Sequence, residues 1–86
     1  MIKSISEITK KYLVGKSLEQ FAKGLGIECP RQLVWYWKEG KQSPSILTLL
    51  KVQMSPTAES WAYDWARECL VALLGPVAEG ESNEKS

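Results

Sequence analysis

Apolar positions recur at helical spacing along most of the chain. Ile5, Ile8 and Tyr12 fall at i, i+3 and i+7, which predicts a first helix from about Ser4 to Leu13, ending near Gly15. Ser17-Leu18-Glu19-Gln20 has the form of a capping box, in which the first hydroxyl and the fourth side chain each satisfy a backbone N–H of the other residue. A second helix therefore opens at Ser17, with Leu18, Phe21, Ala22 and Leu25 as its apolar stripe. Gly24 and Gly26 bracket Leu25 and end it.

Pro30 suits the first turn of a third helix, where its missing N–H costs nothing. That helix runs to Lys38 or Glu39 and stops at Gly40. Leu33, Val34 and Trp37 share one face; Arg31, Gln32, Trp35 and Tyr36 lie on the other. Pro44 and Ser45 restart the chain, and Ile46, Leu47, Leu50 and Met54 line a fourth helix. After Ser55-Pro56 a fifth helix is predicted from about Thr57 to Leu74, with Trp61, Trp65 and Cys69 at i+4 intervals. Gly75-Pro76 closes it. "VAEGESNEKS" has one sizeable apolar residue and three Glu, the composition of a disordered acidic tail. The pattern is all-α: a compact bundle of about five helices over residues 1–75, and a disordered tail over residues 76–86.

Composition narrows the classes. At 86 residues, 44% apolar and 24% charged, the chain builds one small globular core. No apolar run approaches the ~18 residues that cross a membrane. "MIKSISEITK" lacks the apolar region of a secretion signal, so the expected location is the cytoplasm. Cys29 and Cys69 stand forty positions apart in a chain without His, which argues against a metal site and for two reduced structural thiols. Residues 1–56 carry eight Lys and one Arg against four Glu, a balance of +5; residues 57–86 balance at −4. A basic body suits a polyanionic partner.

Two helices joined by a glycine-containing turn and leading to Trp37 describe a helix-turn-helix, whose second helix can enter the DNA major groove. The stretches "SLEQFAKGLGI", "LVWYWKEGKQSPS" and "ILTLLKV" resemble the lambda-repressor-like (XRE-type) helix-turn-helix regulators. The matching places are Phe21-Ala22, Leu25-Gly26-Ile27, Trp37-Lys38-Glu39-Gly40-Lys41, Pro44 and Leu47-Thr48-Leu49-Leu50, within residues 4–54. The resemblance implies that Trp37 and Val34 are core and that the helix around residues 30–39 reads DNA.

On that outer face Arg31 suits guanine edges or a phosphate, and Gln32 an adenine edge. Tyr36 suits a phosphate through its hydroxyl. Trp35 either lies against a thymine methyl or sugar, or packs on a neighbouring helix or second subunit. Lys16, Lys23, Lys38 and Lys41 are candidates for backbone contacts, against the alternative that each is simply solvated. Three positions depart from the family pattern. Gly26 to Trp37 is two residues longer, Leu18 replaces a phosphate-binding Gln, and Lys38 stands where Glu is frequent.

The fifth helix lies outside the resemblance. Trp61 and Trp65 either finish the core or close a homodimer through the C-terminal helix; Trp65 is assigned to the core and Trp61 stays open between the two. No His, reactive Cys beside a base or paired carboxylates point to an enzyme, and no small-molecule cofactor is implied. Two functions remain. One is a sequence-specific transcriptional regulator that occupies double-stranded DNA. The other is a protein-interaction module, antitoxin-like or an adaptor, that docks a partner on the Trp35/Tyr36 face.

Overall fold

The computed structural model describes the backbone of residues 4–84 and the side chains of residues 4–74. Five helices follow one another: α1 (Ile5–Leu13), α2 (Leu18–Gly24), α3 (Arg31–Glu39), α4 (Ile46–Met54) and α5 (Ser60–Glu84). There is no strand among the described residues.

Local chemistry explains most of the boundaries. Ser17 and Gln20 form the expected capping box: the Gln20 N–H donates to Ser17 Oγ at 3.1 Å and the Ser17 N–H to Gln20 Oε1 at 2.9 Å. Ser4 and Glu7 build the same device at the start of α1, which the apolar spacing alone does not reveal. Ser45 caps α4, accepting from the Thr48 N–H at 3.1 Å. Gly40 ends α3 in the left-handed conformation, at φ +78°, and its N–H closes onto the Trp37 carbonyl at 3.2 Å.

Three expectations change. Pro30 is the N-cap of α3 and not part of its first turn; its ψ of 145° is extended, and it offers no side-chain acceptor to the first turn. The helix assigned to α5 runs past the predicted stop at Gly75-Pro76, to Glu84. Residues 85–86 of the predicted tail lie outside the described residues.

The third change concerns α4. Its buried residues are Leu49 and Val52, while Ile46, Leu47, Leu50 and Met54, the apolar stripe predicted for it, are exposed. "ILTLLKVQM" is apolar on two sides, and periodicity within one helix cannot say which side meets the body.

All five helices feed one core. It contains Ile5 and Ile8 of α1, Phe21 and Ala22 of α2, Val34 and Trp37 of α3, Leu49 and Val52 of α4, and Ala62, Trp65, Ala66 and Cys69 of α5. Leu25 joins it from the turn after α2. Trp65 sits at the centre, stacked on Trp37 with ring centroids 5.5 Å apart and edge-on to Phe21 at 5.3 Å. Its indole N–H donates to the buried Thr9 hydroxyl at 3.1 Å. Thr9→Val, nearly isosteric, leaves that N–H without an acceptor. The expected loss is about 1–3 kcal/mol in urea unfolding, and an unchanged midpoint would mean that the N–H finds another partner.

Polar ties fix the periphery. The Ser6 hydroxyl donates to the Lys38 carbonyl at 2.6 Å, holding α1 to the end of α3. Lys11 and Glu68 pair at 2.8 Å between α1 and α5, and the Tyr12 hydroxyl donates to the same carboxylate. Burial, that hydrogen bond and the charge of Glu68 push the Tyr12 phenol up to about 12, so it remains a donor. Ser55, buried between α4 and α5, donates to the Gly26 carbonyl at 2.7 Å and docks the end of α2 onto the start of α5.

Candidate nucleic-acid interface

Val34 and Trp37, three apart, are the keel that sets α3 into the body; they are 0% and 2% exposed. With that side buried, helical geometry turns Arg31, Gln32, Trp35 and Glu39 outward, and all four are exposed. Tyr36 and Lys38 lie half-buried on the flanks. The Trp35 and Tyr36 rings meet edge to face with centroids 5.3 Å apart, and Gln32 Nε2 donates to the Tyr36 hydroxyl at 3.2 Å. Gln32, Trp35 and Tyr36 are thus mutually braced, while Arg31 at the helix start makes no hydrogen bond or ion pair recorded among the described residues.

The lysines divide into two groups. Lys23, exposed on α2, pairs with Glu19 at 3.4 Å and also lines two shallow grooves. One, of about 290 Å³, brings it together with Arg31, Glu19, Ala22 and Cys29 across the α2–α3 turn. The other, of about 350 Å³, joins it to Lys16, Gln20 and Trp61. Lys16 is half-buried there: its Nζ donates to the Tyr12 carbonyl at 2.8 Å and stands 4.5 Å from the centre of a Trp61 ring. Lys16, Lys23 and Arg31 therefore follow one another along the α2 side. Lys38 and Lys41 lie at the opposite end of α3, about 13 Å of helix away from its start.

Carboxylates intervene, and reasoning from the sequence overlooked them. Glu39 shares the outer face of α3 and pairs with Lys38 at 3.0 Å; that hydrogen bond and charge hold its carboxyl below the usual range. Glu39 follows Trp35 by four, so the spacing carried the signal. Glu19 and Glu59 line the grooves with the lysines.

Cys29 and Cys69 are free thiols. Burial pushes Cys29 up to about 11; burial and then the charge of Glu68 push Cys69 up to about 12, so neither is an activated nucleophile. Among the described residues no group of three or more acidic or Cys side chains could hold a metal ion. No helix there is long and apolar enough to cross a membrane.

Trp65 is wholly buried within the chain and offers no surface to a second copy. Trp61 is half-buried, packed on Phe21 with centroids 4.8 Å apart and covered by Lys16. Compared with family models, curated proteins and solved structures, the chain matches none.

Proposed function

We propose that the protein is a sequence-specific DNA-binding regulator of the lambda-repressor-like, XRE-type class, which occupies an operator through α3. The observation that carries this reading is the division of α3: Val34 and Trp37 anchor it, while Arg31, Gln32 and Trp35 face outward beside Lys23. Arg31 and Gln32, near the start of the helix, supply base-edge contacts. Lys16, Lys23, Lys38 and Lys41 supply phosphate contacts, for which Lys23 and Lys38 exchange their weak surface pairs with Glu19 and Glu39.

A second reading rests on a specific observation. Trp35, Tyr36 and Gln32 form a braced aromatic and amide platform with Glu39 on the same face. That arrangement suits a protein partner, in an antitoxin-like or adaptor role.

Site selection from a random duplex pool, followed by affinity across a salt series, separates the two. For a regulator one sequence is enriched and its affinity falls steeply with salt. Arg31→Ala then weakens the selected site by about tenfold or more and relaxes one base position. Lys23→Ala weakens all sequences alike and lowers the salt slope by about one. If no sequence is enriched and no duplex is bound at physiological salt, the DNA reading fails and the aromatic platform stands as a protein-docking face.

A further inference from the structure

The end of α3 lies against α1. The Ser6 hydroxyl donates to the Lys38 carbonyl at 2.6 Å, and a Cβ added to Gly40 would stand 3.8 Å from Ser6 Cβ. Lys10 follows Ser6 by four, so it projects from the same side of α1 one turn further on, and it is exposed. Lys38 and Lys41 flank Gly40 on the other side of this contact. Glu39 stands among the three lysines. Its hydrogen bond and ion pair with Lys38, at 3.0 Å, and then the charges of Lys10 and Lys41 hold its carboxyl below the usual range. Glu7, one turn before Lys10, is turned back to the Ser4 N–H, which donates to it at 3.3 Å. We infer that Lys10 completes, with Lys38 and Lys41, a cluster that binds phosphates of a DNA strand, and that the Glu39 carboxylate opposes its occupation. The inference rests on α3 as the DNA-reading helix and adds α1 to the interface.

Two features point to a duplex backbone as the occupant. The first is the disposition of charge. Neither Lys10 nor Lys41 forms an ion pair among the described residues, so both stand beside Lys38 without a carboxylate of their own. Lys11, the next residue of α1, is turned the other way and pairs with Glu68 at 2.8 Å, as part of the tie between α1 and α5. Like charges gathered on one surface repel, and a bridging polyanion relieves that repulsion.

The second feature is spacing. The cluster stands about 13 Å of helix away from Arg31 at the start of α3, where Lys23 lines the same groove. The DNA major groove is ~12 Å wide, so a helix seated in it brings one basic group toward each flanking strand. A small anion would engage one group alone. Glu39 has the opposite sign from its neighbours, and a phosphate that approaches Lys38 has to displace it.

The test is the salt dependence of binding to the selected duplex and to a random-sequence duplex, for the full chain and three variants. Lys10→Ala should weaken both duplexes by about three- to tenfold and flatten the slope of log affinity against log salt by about one. Glu39→Gln should strengthen both and steepen the slope by about one, because Lys38 is released to a phosphate. Lys11→Ala makes the same change in net charge as Lys10→Ala, one position away, and should leave the slope at the wild-type value. A change that acted only through folding would not move the slope, and far-UV circular dichroism checks that each variant is folded. A Lys10→Ala slope equal to that of the wild type overturns the cluster, as does a Lys11→Ala slope that falls by the same amount. Glu39→Gln without a gain in affinity overturns the opposing role of Glu39. In each of those cases the DNA reading survives if Arg31→Ala still relaxes its base position. A wild type that binds neither duplex removes that reading, and the cluster with it.

Discussion

Trp65→Ala is expected to cost about 3–5 kcal/mol, enough to leave the protein close to half unfolded at body temperature. The ring is completely buried, and three separate interactions converge on it: the stack on Trp37, the edge contact with Phe21 and the hydrogen bond to Thr9. Truncation opens a cavity between helices that cannot close independently, because α1, α2 and α3 each supply one of those partners. It also strands the Thr9 hydroxyl in an apolar surround, which adds to the cost. A domain of this size sits toward the low end of the ~5–15 kcal/mol range of native stabilities. The melting temperature should fall by roughly 15–25 °C, measured by far-UV circular dichroism. Trp61→Ala is the natural comparison: that ring is half-buried and should cost clearly less. A drop of under about 5 °C for Trp65→Ala would contradict the central place given to this residue.

Gly26→Ala should be nearly as damaging, although it only adds a methyl group. Gly26 has φ +72°, a conformation that costs an L-residue about 1–2 kcal/mol. A Cβ there would also collide with Ser55 Oγ and stand 2.6 Å from the Ala58 nitrogen and 2.8 Å from its Cα. Two of these atoms are backbone, so no change of rotamer relieves the overlap. The end of α2 would have to leave the α4–α5 connection, where Ser55 holds the Gly26 carbonyl and the Glu59 N–H holds the Gly24 carbonyl at 2.9 Å. The expected loss is about 3 kcal/mol or more in urea unfolding. Gly40→Ala separates the two causes. Its φ is +78°, yet a Cβ added there would come no closer than 3.8 Å to Ser6 Cβ, so only the conformational cost applies. Equal losses at the two glycines would show that the close approach at Gly26 contributes nothing.

These cases also mark how far the sequence reaches. The Ser17–Gln20 capping box, the Gly40 stop and the start of α4 at Ser45 depend on groups within a few residues of one another, and local chemistry suffices to predict them; the Ser4–Glu7 box is equally local but escaped the reading by apolar spacing. The anchoring of α3 was legible as well, because Val34 and Trp37 recur at helical spacing opposite Arg31, Gln32 and Trp35. The neighbourhood of the candidate site was only partly so. Lys23 and Arg31 meet because α2 and α3 fold together across a six-residue turn, which no local pattern specifies. Nor does one predict that Lys16 settles over Trp61 from the far end of the chain.

The sequence by itself determined that this protein is helical, where its first four helices start, and that α3 has one apolar and one polar side. Those properties follow from hydrogen bonds and side-chain periodicity within a turn or two of helix. Tertiary structure alone decided which side of α4 turns inward, that Trp61 packs half-buried on Phe21 under Lys16, and which basic residues gather on one groove. Each of those choices is a competition among apolar or charged surfaces distant in the chain, and its outcome depends on which neighbours close packing brings within reach.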